Sequence, residues 1–137
     1  MRAVLDVNVV ISAVLSPRGA PAKILRTWLD GEFEFIASAK LVAELERALG
    51  YPKLQARVDA KSAQALIDLI RREAQTTPDP EGEPSVKSAD PGDDYLIALG
   101  ASAGAVIVSG DQHLLGLADK IPVHSPADFL TLLVDES

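Results

Sequence analysis

Short uninterrupted runs of apolar residues alternate along the chain with longer segments of helical spacing. The continuous runs predict buried strands at residues 2–5, 33–37, 105–108 and 121–123. Apolar residues that recur every three or four positions predict helices at residues 7–15, 20–30, 38–49, 59–74, 93–103, 112–118 and 126–134. Buried strands that alternate with helices are typical of a parallel sheet covered on both faces. The pattern therefore predicts an α/β fold.

A proline-rich, acidic segment interrupts this alternation at residues 76–92 and predicts a long loop. We do not interpret this loop as a linker between two domains, because the chain that follows it is too short to build an independent core. We therefore expect one domain over residues 1–137.

The overall composition excludes several classes of protein. The chain has 137 residues, of which 47% are hydrophobic and 24% charged, so it can bury a core and is not a disordered or fibrous protein. The absence of cysteine excludes disulfides, thiolate metal sites and cysteine nucleophiles, and it predicts a reducing, cytoplasmic location. The longest uncharged stretch, residues 95–110, is too short to span a bilayer, so no membrane association is expected.

The formal charge of −7, from 13 basic and 20 acidic residues, argues against a general affinity for nucleic acid. Nucleic acid remains possible as a substrate, because a bound divalent cation reverses the local sign of a carboxylate cluster. The position of the acids is therefore more informative than their number.

Four aspartates are expected at one edge of the predicted sheet. Asp6 ends the first strand, Asp111 follows the strand over 105–108, and Asp93 and Asp94 begin the helix that leads into that strand. Open parallel sheets place their active sites outside the carboxyl ends of the strands. The same positions also suit a purely structural role, because aspartate is a favoured N-cap and complements the helix dipole. Both interpretations remain open at this stage.

The helix over 38–49 carries two candidate acids, Glu44 and Glu46. On a helical wheel these two glutamates lie on opposite flanks of the apolar arc, which consists of Leu41, Val42, Leu45, Ala48 and Leu49. Either side chain could face a neighbouring cleft, and periodicity does not choose between them.

Other catalytic arrangements are absent from the sequence. His113 and His124 are the only histidines, and neither has the spacing of a zinc site or a nucleophile pair, so both are interpreted as surface or boundary residues. The chain has no G-x-S-x-G elbow, Walker loop or G-x-G-x-x-G. Oxygen-ligand chemistry with Mg²⁺ or Mn²⁺ is the class that remains.

Four segments, taken in order, resemble the PIN domain family. They are Asp6-Val7-Asn8-Val9 after the first strand, the helix over 38–49 with Glu44, the run Asp90-Pro91-Gly92-Asp93-Asp94-Tyr95-Leu96-Ile97-Ala98-Leu99, and Val106-Ile107-Val108-Ser109-Gly110-Asp111 followed by His113-Leu114-Leu115. The resemblance extends over nearly the whole chain. It is closest to the branch that contains VapC-like toxins of bacterial toxin-antitoxin systems.

The resemblance implies a three-layer α/β/α fold around a short parallel sheet and a metal-dependent ribonuclease. It implies that one or two Mg²⁺ or Mn²⁺ ions are held by Asp6, Glu44, Asp93 or Asp94, and Asp111, and that a metal-activated water attacks the RNA phosphate. The D-P-x-D pattern favours Asp93 as the direct ligand and leaves Asp94 as a ligand or supporting residue. Asn8 and Ser109 correspond to polar positions that orient the ligands. Ser109 stands where the family commonly has threonine, and Gly100 stands where alanine is usual.

RNA is the expected substrate, and a cognate antitoxin and a possible homodimer are the expected protein partners. Basic residues that could hold phosphates follow the first motif, at Arg18, Lys23 and Arg26, and a second basic group consists of Lys40, Arg47, Lys53 and Arg57. Either group could equally be a solvated helix surface.

Two rival functions are considered. A haloacid-dehalogenase-like phosphatase is disfavoured because Asn8 occupies the position where that chemistry needs a second acid. A PIN-like module that binds RNA or protein without cutting it remains the non-enzymatic alternative.

Overall fold

The structure is a computed structural model that describes residues 1–136. Five strands are β1 (Arg2–Leu5), β2 (Glu34–Ala37), β3 (Gln75–Thr76), β4 (Val106–Val108) and β5 (Val123–His124). The helices are α1 (Val7–Leu15), α2 (Ala20–Leu29), α3 (Ala39–Leu49), α4 (Pro52–Gln55), α5 (Ala60–Glu73), α6 (Asp94–Ala103), α7 (Gln112–Leu115) and α8 (Pro126–Glu136). A single 3-10 turn, Pro91–Asp93, leads into α6. None of the helices in residues 1–136 is long and apolar enough to cross a membrane.

All five strands pair in parallel, in the order β3-β2-β1-β4-β5. The chain moves outward from β1 to β2 and β3, then crosses back to place β4 and β5 on the other side of β1. Crossover connections between parallel strands are right-handed, so this reversal of direction places helices on both faces of the sheet. The predicted three-layer α/β/α fold is therefore confirmed. The reversal also creates a switch point between β1 and β4, where open sheets bind their ligands.

The core lies on both sides of the central strands. Ala3, Val4 and Leu5 of β1 are fully buried, as the uninterrupted apolar run predicts. Aromatic edge-to-face contacts join the sheet to the helices: the rings of Trp28 and Phe35 are 5.2 Å apart.

Helix α8 belongs to this same core. The ring of Phe129 is fully buried and meets that of Phe33, which lies just before β2, at 5.1 Å. The last helix therefore covers the sheet rather than extending away from it.

Polar caps fix where several helices begin. The side chains of Asp6, Ser38 and Asp59 accept hydrogen bonds from the backbone N–H groups of Asn8, Leu41 and Ser62 at the starts of α1, α3 and α5. Helix α6 ends at Gly104, whose φ of +63° lies in the left-handed region that favours glycine. The turn that follows returns the chain directly to β4.

Four elements differ from the sequence prediction. Gln75–Thr76 pairs with β2 as an edge strand, although both residues are exposed and carry no apolar pattern. Pro52 begins the short helix α4, because proline suits the first turn of a helix as well as the end of the preceding one. Helix α7 stops at Leu115, and β5 consists of Val123–His124 rather than residues 121–123.

Candidate metal centre

Asp6 lies at the carboxyl end of β1 and is buried, with 6% of its surface exposed. Its N–H donates to the carbonyl of Val108 on β4 at 2.9 Å, so the two strands hold its backbone at the switch point. Its side chain accepts the Ser109 hydroxyl at 2.7 Å and, more weakly, the Asn8 N–H at 3.4 Å. Burial raises the pKa of Asp6, and these hydrogen bonds offset only part of that effect.

Ser109 connects Asp6 to the end of the neighbouring strand. The serine is fully buried, and its hydroxyl oxygen accepts the N–H of Asp111 at 3.0 Å while its hydrogen is donated to Asp6. Asp111 in turn caps α7, because its side chain accepts the His113 N–H at 2.7 Å. One hydroxyl therefore links the carboxylate of Asp6, after β1, to the backbone of Asp111, after β4.

Asp93 reaches this edge from the 3-10 turn before α6. Possible ligand atoms of Asp90, Asp93, Asp111 and His113 all lie within 4.8 Å of one another. Burial, the negative charge of Asp111 and a hydrogen bond with Asp111 together raise the pKa of Asp93 to about 7. Oδ2 of Asp93 is buried and has no hydrogen-bond partner among residues 1–136. A buried carboxylate oxygen without a donor is costly, and a cation is one partner that would satisfy it.

Asp94, the neighbour of Asp93, has a different contact. Its Oδ1 accepts the N–H of Ser88 at 2.9 Å, which fastens the long loop before α6 to the helix. Asp93 is thus the member of the pair that the structure brings to Asp111.

The two glutamates of α3 face different neighbours. Glu44 lines a cleft of about 340 Å³ together with Asp6, Asp90 and Asp93, and its carboxylate forms an ion pair with Arg47. We call this cleft the acidic cleft. Glu46 lies on the other flank of the helix and pairs with Arg71 of α5. The structure thereby separates the two acids that the helical wheel left equivalent.

Basic and aromatic side chains form the rest of the acidic cleft. Lys40, Arg47, Tyr51 and Tyr95 line it, and the Lys40 ammonium lies 5.3 Å from the centre of the Tyr95 ring. Burial, followed by the charges of Asp6 and Glu44, raises the pKa of Tyr95, so the phenol stays protonated.

The exposed Asn8 lies between the acidic cleft and a second cleft of about 290 Å³. It lines both, and Asp111, Gly110 and Pro21 are among the residues on the second side. Asp111 therefore lines the second cleft, whereas Asp6, Glu44, Asp90 and Asp93 line the acidic cleft.

The three basic residues that follow the first motif do not gather at the acids. Lys23 lines a groove with Met1 and Glu32, which precede β1 and β2 and so lie at the opposite edge of the sheet. The Arg26 guanidinium donates to the carbonyl of Pro17 at 3.1 Å, and Arg18 is exposed on the loop before α2. Lys40 and Arg47 are the basic residues that line the acidic cleft.

Comparison with known proteins identifies the family. The sequence model of the PIN domain matches residues 2–113. The chain belongs to the PIN domain family. PIN domains are generally nucleases, and they usually bind divalent metal ions.

Individual relatives of this PIN domain are distant. The uncharacterized protein MJ1680 of Methanocaldococcus jannaschii is 26% identical over 120 residues, which cover 88% of this chain and 77% of that protein. The crystal structure of PAE2754 from Pyrobaculum aerophilum superposes with a TM-score of 0.65 and 16% identity, covering 98% of this chain and 90% of the other. VapBC2 from Rickettsia felis, solved bound to a DNA fragment from their promoter, gives a TM-score of 0.58 and 14% identity, covering 91% and 98%. At these identities the two solved structures establish the fold alone.

Sequence reasoning missed two members of the cluster of possible metal ligands in this PIN domain, Asp90 and His113. Asp90 has no assigned role in the sequence analysis, and in the structure it caps the turn before α6, since its side chain accepts the Gly92 N–H at 3.0 Å. His113 was interpreted as a surface residue, yet its Nδ1 lies 3.6 Å from Oδ1 of Asp111. The signal for His113 was the cap at Asp111, because a capping side chain meets the N–H two positions later and brings that residue close.

The donor set of this PIN domain fits a hard divalent cation. Asp90, Asp93 and Asp111 offer carboxylate oxygens, the ligands that Mg²⁺ and Mn²⁺ prefer, and Oδ2 of Asp93 is left without a donor. The acidic cluster could therefore hold such an ion.

Proposed function

We propose that this PIN domain, acting as one nuclease domain over residues 1–137, is a Mg²⁺- or Mn²⁺-dependent endoribonuclease. The observation that carries the proposal is the convergence of Asp6, Asp93 and Asp111 at the switch point of the sheet, with a buried carboxylate oxygen left unpaired. Neighbouring carboxylates repel one another when they are charged. A bound cation would offset this repulsion, so the arrangement favours a metal site.

Asp6, Glu44, Asp93 and Asp111 are the residues that would hold the cation. When bound, a divalent ion would supply Lewis-acid activation of a water and neutralise charge on the phosphate. Ser109 keeps the Asp6 and Asp111 carboxylates in register, and Asn8 supports Asp6 through its N–H. Asp94 supports the site indirectly by fixing the loop that ends at Asp93.

To bind the cation, the carboxylate of Glu44 would have to exchange its ion pair with Arg47 for the metal. Its carboxylate is paired with Arg47, an exposed side chain at the edge of the acidic cleft. Exposed ion pairs of this kind contribute little stability, about 0 to 1 kcal/mol, so Arg47 can turn towards a substrate phosphate at low cost. Lys40, which also lines the acidic cleft, would contact another phosphate of the RNA. Arg18, Lys23 and Arg26 remain candidates for more distant RNA contacts.

A toxin role is part of the proposal. The similarity in fold to VapBC2 supports a protein partner of the antitoxin type. Such a partner would silence the enzyme most directly by placing a basic side chain in the acidic cleft. A homodimer also remains a proposal.

Incubation of the purified protein with a mixed RNA pool tests the activity. With Mn²⁺ or Mg²⁺ we expect cleavage that EDTA abolishes and that Asp6→Asn reduces by about 100-fold or more, which corresponds to losing roughly 3 kcal/mol of transition-state stabilisation. Glu46→Gln is the matched control, because Glu46 lies on the same helix and faces α5.

Equal cleavage by the wild type and Asp6→Asn would identify a contaminating nuclease and contradict the proposal. RNA binding by the wild type without any cleavage would favour the non-cutting PIN-like module instead.

A further inference from the structure

Tyr95 lies in the first turn of α6, two residues after Asp93. Its side chain is partly buried, packs against the hydrophobic core and lines the acidic cleft. The next two residues of the helix, Leu96 and Ile97, are buried in that core, so the start of α6 is held in place. Tyr95 is therefore presented to the cleft by a rigid part of the fold.

The phenol group of Tyr95 lies close to the proposed metal ligands. Burial, followed by the charges of Asp6, Glu44 and Asp93, raises its pKa, so the group is a neutral hydrogen-bond donor. Within residues 1–136 its O–H forms no hydrogen bond with another protein group. The donor is therefore available to a ligand in the cleft.

The face of the Tyr95 ring has a partner of its own. The Lys40 ammonium lies 5.3 Å from the ring centre, as in a cation–π contact. This contact uses the face of the ring and leaves the O–H at its edge. Tyr95 thus has two separable features, a ring that holds Lys40 and a phenol donor without a protein partner.

A phosphate that approaches the acids needs a donor that those acids do not neutralise. Charged carboxylates such as Asp6 and Glu44 only accept hydrogen bonds. The cation of Arg47 lines the same cleft, and it is paired with Glu44. A neutral phenol donates to an anionic oxygen without forming an ion pair with a neighbouring carboxylate, so Tyr95 suits this position.

We propose that the O–H of Tyr95 donates a hydrogen bond to a non-bridging oxygen of the RNA phosphate that is cut, which makes Tyr95 a further catalytic residue. This inference rests on the proposed nuclease function and adds a residue outside the set of acids. Water adds to the phosphorus as the bond to the leaving oxygen breaks. The proton that the water loses balances the one that the leaving oxygen gains, and Tyr95 keeps its own proton throughout.

The hydrogen bond should act mainly on the rate of the chemical step. Negative charge on the non-bridging oxygens grows as the water attacks, so a donor fixed beside them binds the transition state more tightly than the substrate. Loss of the donor should therefore lower kcat and leave KM nearly unchanged.

Tyr95→Phe tests this donor, because it removes the O–H and keeps the ring beside Lys40. At saturating Mn²⁺ and RNA we expect kcat to fall by about 10- to 100-fold, as loss of one hydrogen bond to a charged group predicts. RNA binding in Ca²⁺, which limits turnover, should be unchanged. The Mn²⁺ affinity and the Tm should also be unchanged, because the O–H contacts no other protein group in residues 1–136.

Sulfur substitution at the phosphate distinguishes a direct contact from an indirect effect. Cleavage of a mixed RNA pool first locates a cut linkage, and a short RNA is then made with sulfur in place of either non-bridging oxygen at that linkage. Sulfur accepts hydrogen bonds weakly. One of the two sulfur isomers should slow the wild type in Mn²⁺ and slow Tyr95→Phe clearly less.

Two variants serve as comparisons. Tyr51→Phe removes the other phenol of the acidic cleft and should lower kcat far less than Tyr95→Phe, because Tyr51 is 49% exposed on the turn after α3. Thr131→Val removes a hydroxyl on α8 that donates to the carbonyl of Ala127, and it should leave kcat unchanged.

Equal kcat values for Tyr95→Phe and the wild type would overturn the inference. A fall in kcat that accompanies a loss of Mn²⁺ affinity would also overturn it, as would sulfur effects that are the same in both proteins for both isomers. If the wild type cuts RNA in an Asp6-dependent way and Tyr95→Phe is fully active, only this inference fails. If the wild type does not cut RNA, the proposed function fails with it.

Discussion

The Ser109 hydroxyl donates a 2.7 Å hydrogen bond to Oδ2 of Asp6, although the two residues lie 103 positions apart in the chain. The same oxygen accepts the N–H of Asp111, so one buried hydroxyl joins the Asp6 carboxylate to the Asp111 backbone. Because the sheet pairs β1 with β4, the residues after both strands meet at the switch point.

Removal of this hydroxyl should disturb both acids. We expect Ser109→Ala to lower the free energy of unfolding by about 1–3 kcal/mol, since it leaves buried polar groups without a partner. Ser109→Thr keeps the hydroxyl and should lose less. Urea unfolding measures the stability, and Mn²⁺ titration measures the loss of metal affinity, expected at about 10-fold or more for a group that orients ligands. Unchanged affinity in Ser109→Ala would contradict the orienting role.

The stability of the metal-free protein should fall as the pH rises from about 4 to about 7. The pKa of Asp93 is raised to about 7 in the folded state against 3.8 as its ordinary value, so the folded state binds the extra proton across this interval. Protonation of Asp93 stabilises the folded state fully below the ordinary pKa of 3.8, and this contribution is lost as the pH rises through the folded-state pKa of about 7. The raised pKa of Asp6 acts in the same direction.

Thermal melts across this pH range, with and without Mn²⁺, measure the effect. Asp93→Asn should flatten the pH dependence and raise the Tm at pH 8 in EDTA, because it removes the repulsion with Asp111. A wild-type Tm that rises steadily from pH 4 to 7 in EDTA would contradict this account.

Glu44 and Glu46 form a matched pair for testing the acidic cleft. Glu44→Gln should lower the metal-dependent activity by about 10-fold or more, because it removes a proposed ligand that lines the cleft. Glu46→Gln should leave activity within about 2-fold, since it breaks only an exposed pair with Arg71. Initial rates of RNA cleavage at several Mn²⁺ concentrations distinguish the two. Equal effects of both substitutions would show that the helix, rather than the cleft, is responsible.

The last helix should be essential to the fold, although the family match ends at residue 113. Phe129 is fully buried against Phe33, so Phe129→Ala should destabilise the protein by about 3–5 kcal/mol. Val134→Ala, at a position 71% exposed on the same helix, serves as the control and should cost far less. Denaturant unfolding measures both, and a loss below about 1 kcal/mol for Phe129→Ala would contradict a shared core.

Much of this architecture could be predicted because apolar runs and strand ends carry strong physical signals. The apolar run at residues 2–5 predicts β1. Because the carboxyl ends of parallel strands lie at the same edge of the sheet, Asp6 and Asp111 are expected close together. The edge strand Gln75–Thr76 could not be found, because two exposed polar residues carry no periodicity. It is recognisable only from its pairing with β2.

The choice among neighbouring acids depends on contacts that sequence periodicity does not contain. Asp93 and Asp94 are adjacent in the chain, and tertiary contacts distinguish them: Asp94 accepts the Ser88 N–H, whereas Asp93 lies beside Asp90 and Asp111. Likewise Glu44 lies across a cleft from Asp6 and the start of α1, whereas Glu46 pairs with Arg71 of α5. The sequence position of a residue does not say which distant residue it contacts. The choice between Asp93 and Asp94, and between Glu44 and Glu46, therefore required the structure.

A crystal of the protein soaked in Mn²⁺ tests the central claim most directly, because anomalous scattering locates the ion without reference to activity. The account predicts a peak at the switch point, coordinated by Asp6, Glu44, Asp93 and Asp111, and no peak there in Asp93→Asn. A fully soaked crystal with no ion at this edge of the sheet, or with Mn²⁺ only at remote surface acids, would contradict it.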